Sequence, residues 1–162
     1  DKYQWAGPYL YSRQMVVVRA ESEIQSLQDL KGKKVAVQAT TKAEDLFLHN
    51  IASDLPQVEQ VNCFSTTDEI YAALRKNYVD AIAGHEAMLG SLVKDGEGAY
   101  RMLEESPYKS ELGIAFKKGT HEEVAADLTE TLKEMQDEGV TEKIVAKYGL
   151  DADEILPGGE RK

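Results

Sequence analysis

The sequence predicts an α/β fold built on a mostly parallel sheet covered by helices, and three observations carry that prediction. Strand-like and helix-like stretches alternate from residue 34 to residue 103. The connections between them are short. Apolar strings such as Met15-Val16-Val17-Val18 have the length of a strand and read as buried.

Residues 1–14 are aromatic and turn-rich, with Trp5, Gly7, Pro8, Tyr9 and Tyr11, and residues 15–19 then read as a buried strand. Residues 21–30 are polar with a weak helical period, stopped by Gly32. Lys34-Val35-Ala36-Val37-Gln38 is the next strand. A helix is predicted over 42–53, with Leu46, Phe47 and Ile51 on one face and Pro56 beyond its end. Residues 58–64 form a strand, and Thr66 or Thr67 caps a helix carrying Ile70, Ala73 and Leu74. Residues 79–83 form a strand turned by Gly84. Residues 85–94 form a helix with Met88, Leu89 and Leu92 inward, and residues 100–103 a short strand. Leu112-Gly113-Ile114-Ala115-Phe116 is a further buried strand. A long helix over 121–138 follows, with Val124, Leu128, Leu132 and Met135 on one stripe. Gly139 closes it, Thr141 caps a last helix through Tyr148, and the tail with Pro157, Gly158 and Gly159 reads as loose.

The chain has 162 residues, 42% of them hydrophobic, which is enough for a packed core. No run reaches the roughly 20 apolar residues of a membrane span. The formal charge is -10, and Lys and Arg form no basic stripe, so nucleic acid is not expected as a partner. The one cysteine, Cys63, has no internal disulfide partner and is expected to be a buried, inert thiol in its strand. No phosphate-binding loop, nucleophile elbow or metal-ligand spacing is present, and neither cofactor nor metal is expected.

Two strand-to-helix turns stand out. The first is Gln38-Ala39-Thr40-Thr41-Lys42-Ala43-Glu44. Thr41 and Glu44 have capping-box spacing, the first-turn amides lack internal partners, and Lys42 adds positive charge, so a carboxylate or phosphate is favoured there. The plainer alternative is that Thr41 only caps the helix and Lys42 is solvated. The second turn is Ile82-Ala83-Gly84-His85-Glu86, which ends on the same edge if the strands are parallel. His85 and Glu86 then face the first turn, and the pair of turns offers one positive and one negative end, suited to a zwitterion. Here the alternative is that His85 is an N-terminal cap and Glu86 a first-turn carboxylate complementing the dipole.

Several segments are similar to a known family. Gly7-Pro8-Tyr9-Leu10-Tyr11-Ser12, followed by Val16-Val17-Val18, resembles the Pro-Tyr-x-x-Ser segment of family 3 bacterial extracellular solute-binding proteins. Asp29-Leu30-Lys31-Gly32-Lys33-Lys34-Val35-Ala36-Val37-Gln38 resembles that family's opening of its second lobe. Ala72-Ala73-Leu74 with Val79-Asp80-Ala81-Ile82, Leu112 to Lys117, and Ile144-Val145-Ala146-Lys147-Tyr148-Gly149 follow in the family's order. The resemblance implies a periplasmic binding protein-like II fold: a three-layer lobe with a mainly parallel sheet flanked by helices, plus the C-terminal part of a second similar lobe. Residues 1–18 are then a remnant of lobe one with the first hinge strand, 19–108 are lobe two, and 109–162 are the return strand and C-terminal helices of lobe one. It implies binding, not catalysis, of an amino acid or similar polar solute outside the cytoplasm, in the periplasm or on a lipid anchor, for delivery to the membrane permease of an ABC transporter. By resemblance the ligand-binding residues are Thr41, Thr40, Lys42, Gln38, His85, Glu86, Tyr9 and Ser12.

Three departures from the family pattern matter. Thr40 stands where Gly is usual. His85 aligns with the carboxylate that holds a ligand ammonium, so either Glu86 substitutes or the ligand is not an ordinary α-amino acid. The first part of lobe one is absent, so the chain is expected to be a fragment, a partly recorded chain, or one that associates with itself to cover an incomplete lobe. Two other roles stay open: the ligand-sensing domain of a membrane receptor, and a dehydratase-like enzyme with His85 and Glu86 as acid and base.

Overall fold

A computed structural model describes residues 2–49 and 54–158. The expected helical residue Ile51 lies outside them. The chain divides into two compact units. One comprises Arg13–Lys109, the other Asp1–Ser12 with Ser110–Lys162.

The larger unit holds five strands in the order β3-β2-β4-β1-β5. These are β1 (Tyr3–Arg19), β2 (Lys34–Gln38), β3 (Gln60–Phe64), β4 (Ala81–His85) and β5 (Tyr100–Met102). β2 is parallel to both β3 and β4, and β1 is antiparallel to β4 and β5, so four strands share one direction and β1 opposes them. Side chains alternate across this sheet, and both faces are covered. Val16, Val18, Val35, Val37, Ala81 and Ala83 pack against Ala43, Leu46 and Phe47 of α1 (Lys42–Leu48). Met15, Val17, Ala36 and Ile82 pack on the other face. Their partners are Ile70, Ala73 and Leu74 of α2 (Thr67–Arg75) and Leu89 of α3 (Glu86–Asp95). The unit therefore has three layers. Residues 15–18 are buried throughout because β1 runs through the middle of the sheet.

Polar groups pin the connections. Arg19 donates through Nη1 to the carbonyls of Leu74 and Val79, both at 2.9 Å, holding the end of α2 beside the approach to β4. Asp80 accepts the Lys34 amide at 2.8 Å. Thr66 and Glu69 close a full capping box on α2. Tyr71 donates to the Met88 carbonyl at 2.8 Å and so ties α2 to α3.

Burial, with the nearby charges of Asp68 and Asp95, holds the Tyr71 phenol above its ordinary value. The folded state thus favours the neutral phenol. That contribution is full below about pH 10, where an unfolded tyrosine begins to ionise, and is lost as pH rises through the folded value. Tyr71→Phe is expected to lose stability less steeply than the wild type above pH 10, as thermal melts between pH 8 and 11.5 would show.

The smaller unit takes the first part of β1, the far part of β6 (Tyr108–Lys117), and helices α4 (Glu122–Asp137), α5 (Val140–Lys147) and α6 (Ala152–Ile155). The Gly7 amide donates to Thr129 Oγ1 at 3.1 Å, joining β1 to α4. Val145, Ile155 and Leu156 form a small core with Leu10 and Leu150. Tyr3, Trp5, Val124, Ile144 and Tyr148 are exposed, and α4 buries only Ala125 fully.

Several boundaries differ from the sequence expectation. Residues 3–14 belong to β1 rather than to turns, because β6 pairs with that strand. Residues 27–30 form only a 3-10 turn. α1 ends at Leu48, and the part of the expected helix over 50–53 lies outside the described residues. Gly84 lies inside β4 instead of turning it. A Cβ there would lie 2.5 Å from the methyl at the flexible end of Met88, with Leu89 beyond it. Gly139, at φ 72°, both ends α4 and caps α5, which leaves Thr141 inside the helix. The tail contains α6, capped by Asp151, whose side chain accepts the Asp153 amide at 3.0 Å.

Candidate functional site

The parallel pairing of β2 with β4 decides where the two turns lie. The ladder runs Val35↔Ala81, Ala36↔Ile82, Val37↔Ala83, so both strands end side by side on one edge of the larger unit. β1 arrives there antiparallel, with Gln14 opposite His85. Six of the eight candidate residues, Gln38, Thr40, Thr41, Lys42, His85 and Glu86, therefore sit on one rim. Tyr9 and Ser12 are half-buried on β1 in the smaller unit.

The first turn is held from within. Thr40 has φ 62°, the left-handed region where a β-branched residue is strained and glycine is not. Its amide donates to Glu44 Oε2 at 2.7 Å and its hydroxyl to the Ala39 carbonyl at 2.7 Å. Thr41 occupies the N-cap position of α1, yet its hydroxyl donates to the Gln38 carbonyl at 2.6 Å and accepts no cap bond. The expected capping box is thus displaced by one residue, since Glu44 holds Thr40 rather than Thr41. Gln38 Nε2 reaches the Ser65 carbonyl at 3.3 Å. Lys42 lies with Nζ 4.5 Å from the centre of the Tyr108 ring, a cation–π contact.

The second turn is held by a cap and an ion pair. His85 is exposed and is the N-cap of α3. Its Nδ1 accepts the Ala87 amide at 3.2 Å, which leaves the ring hydrogen on Nε2. Glu86 meets Arg13 through both oxygens, Nε to Oε2 at 3.0 Å and Nη2 to Oε1 at 2.5 Å. The two side chains are 10% and 12% exposed. Sequence reasoning missed Arg13 and Tyr108 as part of this rim.

Cys63 is exposed on β3, the outer strand of the sheet, and not buried as expected. Such burial as it has, with the Glu44 carboxylate beside it, pushes the thiol above its usual range and lowers its thiolate content. Among the described residues, no group of three or more His, Cys, Asp or Glu is placed to hold a metal ion.

A family model described as "ABC transporter, phosphonate, periplasmic substrate-binding protein" matches residues 6–154. The chain belongs to this family. The L-cystine-binding protein TcyJ of Escherichia coli (strain K12) is 29% identical over 153 residues, covering 93% of this chain and 55% of the relative. A solved structure of an ancestral arginine-binding protein bound to arginine is 30% identical, with a TM-score of 0.64, over 90% of this chain and 64% of that one. The second substrate-binding domain of a putative amino acid ABC transporter from Streptococcus pneumoniae Canada MDR_19A is 24% identical, with a TM-score of 0.73, over 91% of this chain and 65% of that one. The fold is that of periplasmic binding protein-like II amino-acid-binding proteins, as the resemblance implied. The chain spans about half the length of the curated relatives it matches.

Proposed function

We propose that this chain contributes to extracytoplasmic binding of a small polar solute, an amino acid or a related acid, for an ABC transporter. The observation that carries the proposal is the parallel β2–β4 ladder, which sets two strand-to-helix turns on one rim. In open α/β sheets, ligands bind beyond the carboxyl ends of strands. The main-chain N–H groups of residues 42–44 precede the first helical bond of α1, from the Asp45 amide to the Thr41 carbonyl. With Lys42 beside them they suit an anionic group. Thr41, Thr40, Lys42, Gln38, His85 and Glu86 are the rim residues of this proposal.

The family supports a membrane permease as partner and an extracytoplasmic location, where a lipid anchor would retain the protein. The exposed Trp5 and Val124 support association with a second copy through the smaller unit. A receptor sensor domain would begin with the same binding event.

A thermal-shift panel of amino acids and small organic acids tests the proposal. A ligand at about 100 times its dissociation constant adds about 2.7 kcal/mol of stability. The shift is expected for the wild type and should vanish in Thr41→Glu, which places a second negative charge where the solute's would lie. An equal shift in Thr41→Glu would remove that turn from the site.

A further inference from the structure

We propose that Gln14 is a further solute-contacting residue of this rim, and that its carboxamide selects a solute bearing a carboxamide over one bearing a carboxylate in the same place. The inference deepens the binding role proposed above and rests on it.

The burial and bonding of Gln14 carry it. The residue is 7% exposed. Its main chain is held, because the Ser106 hydroxyl is shared between the Gln14 and Tyr108 carbonyls at 2.9 and 3.0 Å. Its side-chain carboxamide makes no hydrogen bond to a described residue. Nor is that amide sealed in the core. Among the described residues no fully enclosed side-chain N or O lacks a partner, so Oε1 and Nε2 of Gln14 reach the surface. A nearly enclosed amide in that state is served by water, and a solute that matches its bonds takes the water's place.

The pleat decides where the amide lies. Val16 and Val18 of β1 and Ala81 and Ala83 of β4 pack on the α1 face of the sheet. Gln14 and His85 are ladder partners, and the same alternation puts both on that face at the rim. Side chains directly opposite in this way stand about 5 Å apart at Cβ. Tyr108 packs on that face as well and carries Lys42 over its ring. All four residues belong to the larger unit.

The two ladder partners present a pattern of donors and acceptors that an amide completes. Gln14 offers one carbonyl acceptor and an NH2 donor. His85, with Nδ1 taken by the Ala87 amide, offers its Nε2 hydrogen. A solute carboxamide forms two opposed N–H···O bonds with Gln14 and accepts another from His85. A carboxylate only accepts, so in that two-bond arrangement it sets an oxygen against Gln14 Oε1. Nothing local marks Gln14 in the sequence, since a polar residue before an apolar run reads as a strand end.

Calorimetry on the full chain, with L-glutamine and L-glutamate as probes, tests this. Wild type is expected to bind L-glutamine about tenfold or more tightly than L-glutamate, and a smaller preference would overturn the inference. Gln14→Met keeps the length of the side chain without its amide and should cut the preference about threefold or more. Gln14→Glu accepts but does not donate, sets two carboxylates against each other when L-glutamate binds, and should widen the preference about threefold or more. Failure of either folded variant to move the ratio in its direction would overturn the inference and leave the binding role standing. Should a variant not fold, the Gln14 side-chain NH2 resonances of wild type decide: they should move as L-glutamine is titrated in, and stationary resonances would overturn the inference. Binding of neither probe would also overturn it, while a shift for another solute in the thermal panel would keep the binding role. No shift across that panel would overturn both.

Discussion

Ile82→Ala is expected to destabilise the larger unit by about 2–5 kcal/mol, the usual range for truncating a fully buried aliphatic side chain. Ile82 is 0% exposed and sits in β4 between Val17 of β1 and Ala36 of β2. It packs in one cluster with Ile70 and Leu74 of α2 and Leu89 of α3. Strands on both sides and helices above limit how far the vacated space can close, which places the cost above that of a simple transfer. The same kind of truncation on α4 should be nearly silent. Val124 is 52% exposed, so Val124→Ala is expected to stay within about 0.5 kcal/mol. Urea unfolding followed by circular dichroism compares the two, and a loss under about 1 kcal/mol for Ile82→Ala would contradict its place in the core.

Glu86→Leu is the second large effect. It removes the two-point carboxylate partner of the Arg13 guanidinium and leaves that cation almost enclosed. A fully buried pair broken this way costs about 3–5 kcal/mol, and the slight exposure here brings the expectation to about 2–4 kcal/mol. The double variant Arg13→Met with Glu86→Leu should recover most of that loss, since two apolar side chains need no partner. Additive losses in the double variant would show that the two residues do not act as a pair.

The layered sheet was legible because its signals are local. Lys34–Gln38 forms β2 as read, since a short apolar run between a glycine turn and a helix start has few alternatives. Ile70, Ala73 and Leu74 mark one face of α2, and Thr66 caps it as expected. What escaped was decided at long range. The aromatic stretch before Met15 looks like turns, yet pairing with β6 extends β1 from Tyr3. Cys63 lies in an apolar run, yet its strand is the outer one, so its side chain reaches solvent. The tail looks loose by composition, yet Ile155 and Leu156 find Val145 and Leu10.

The candidate site divides in the same way. Both turns were visible as strand-to-helix junctions, and their common rim followed from parallel strands. The contacts that define their chemistry were not visible. Arg13 reaches Glu86 only through the antiparallel β1–β4 register, and Tyr108 meets Lys42 only after the chain has passed through β5. Thr40's left-handed backbone gives a physical reason for the glycine usual in the family at that position, and shows that threonine is accommodated there with its hydroxyl and amide both bonded.

Amide chemical shifts recorded while the strongest binder of the thermal panel is titrated in would be the most direct trial of the shared rim. The N–H resonances of residues 42–44 and of Ala87 should move together and yield one dissociation constant. Movement confined to one turn, or to residues away from the carboxyl ends of β2 and β4, would mean that the two junctions do not receive a common solute.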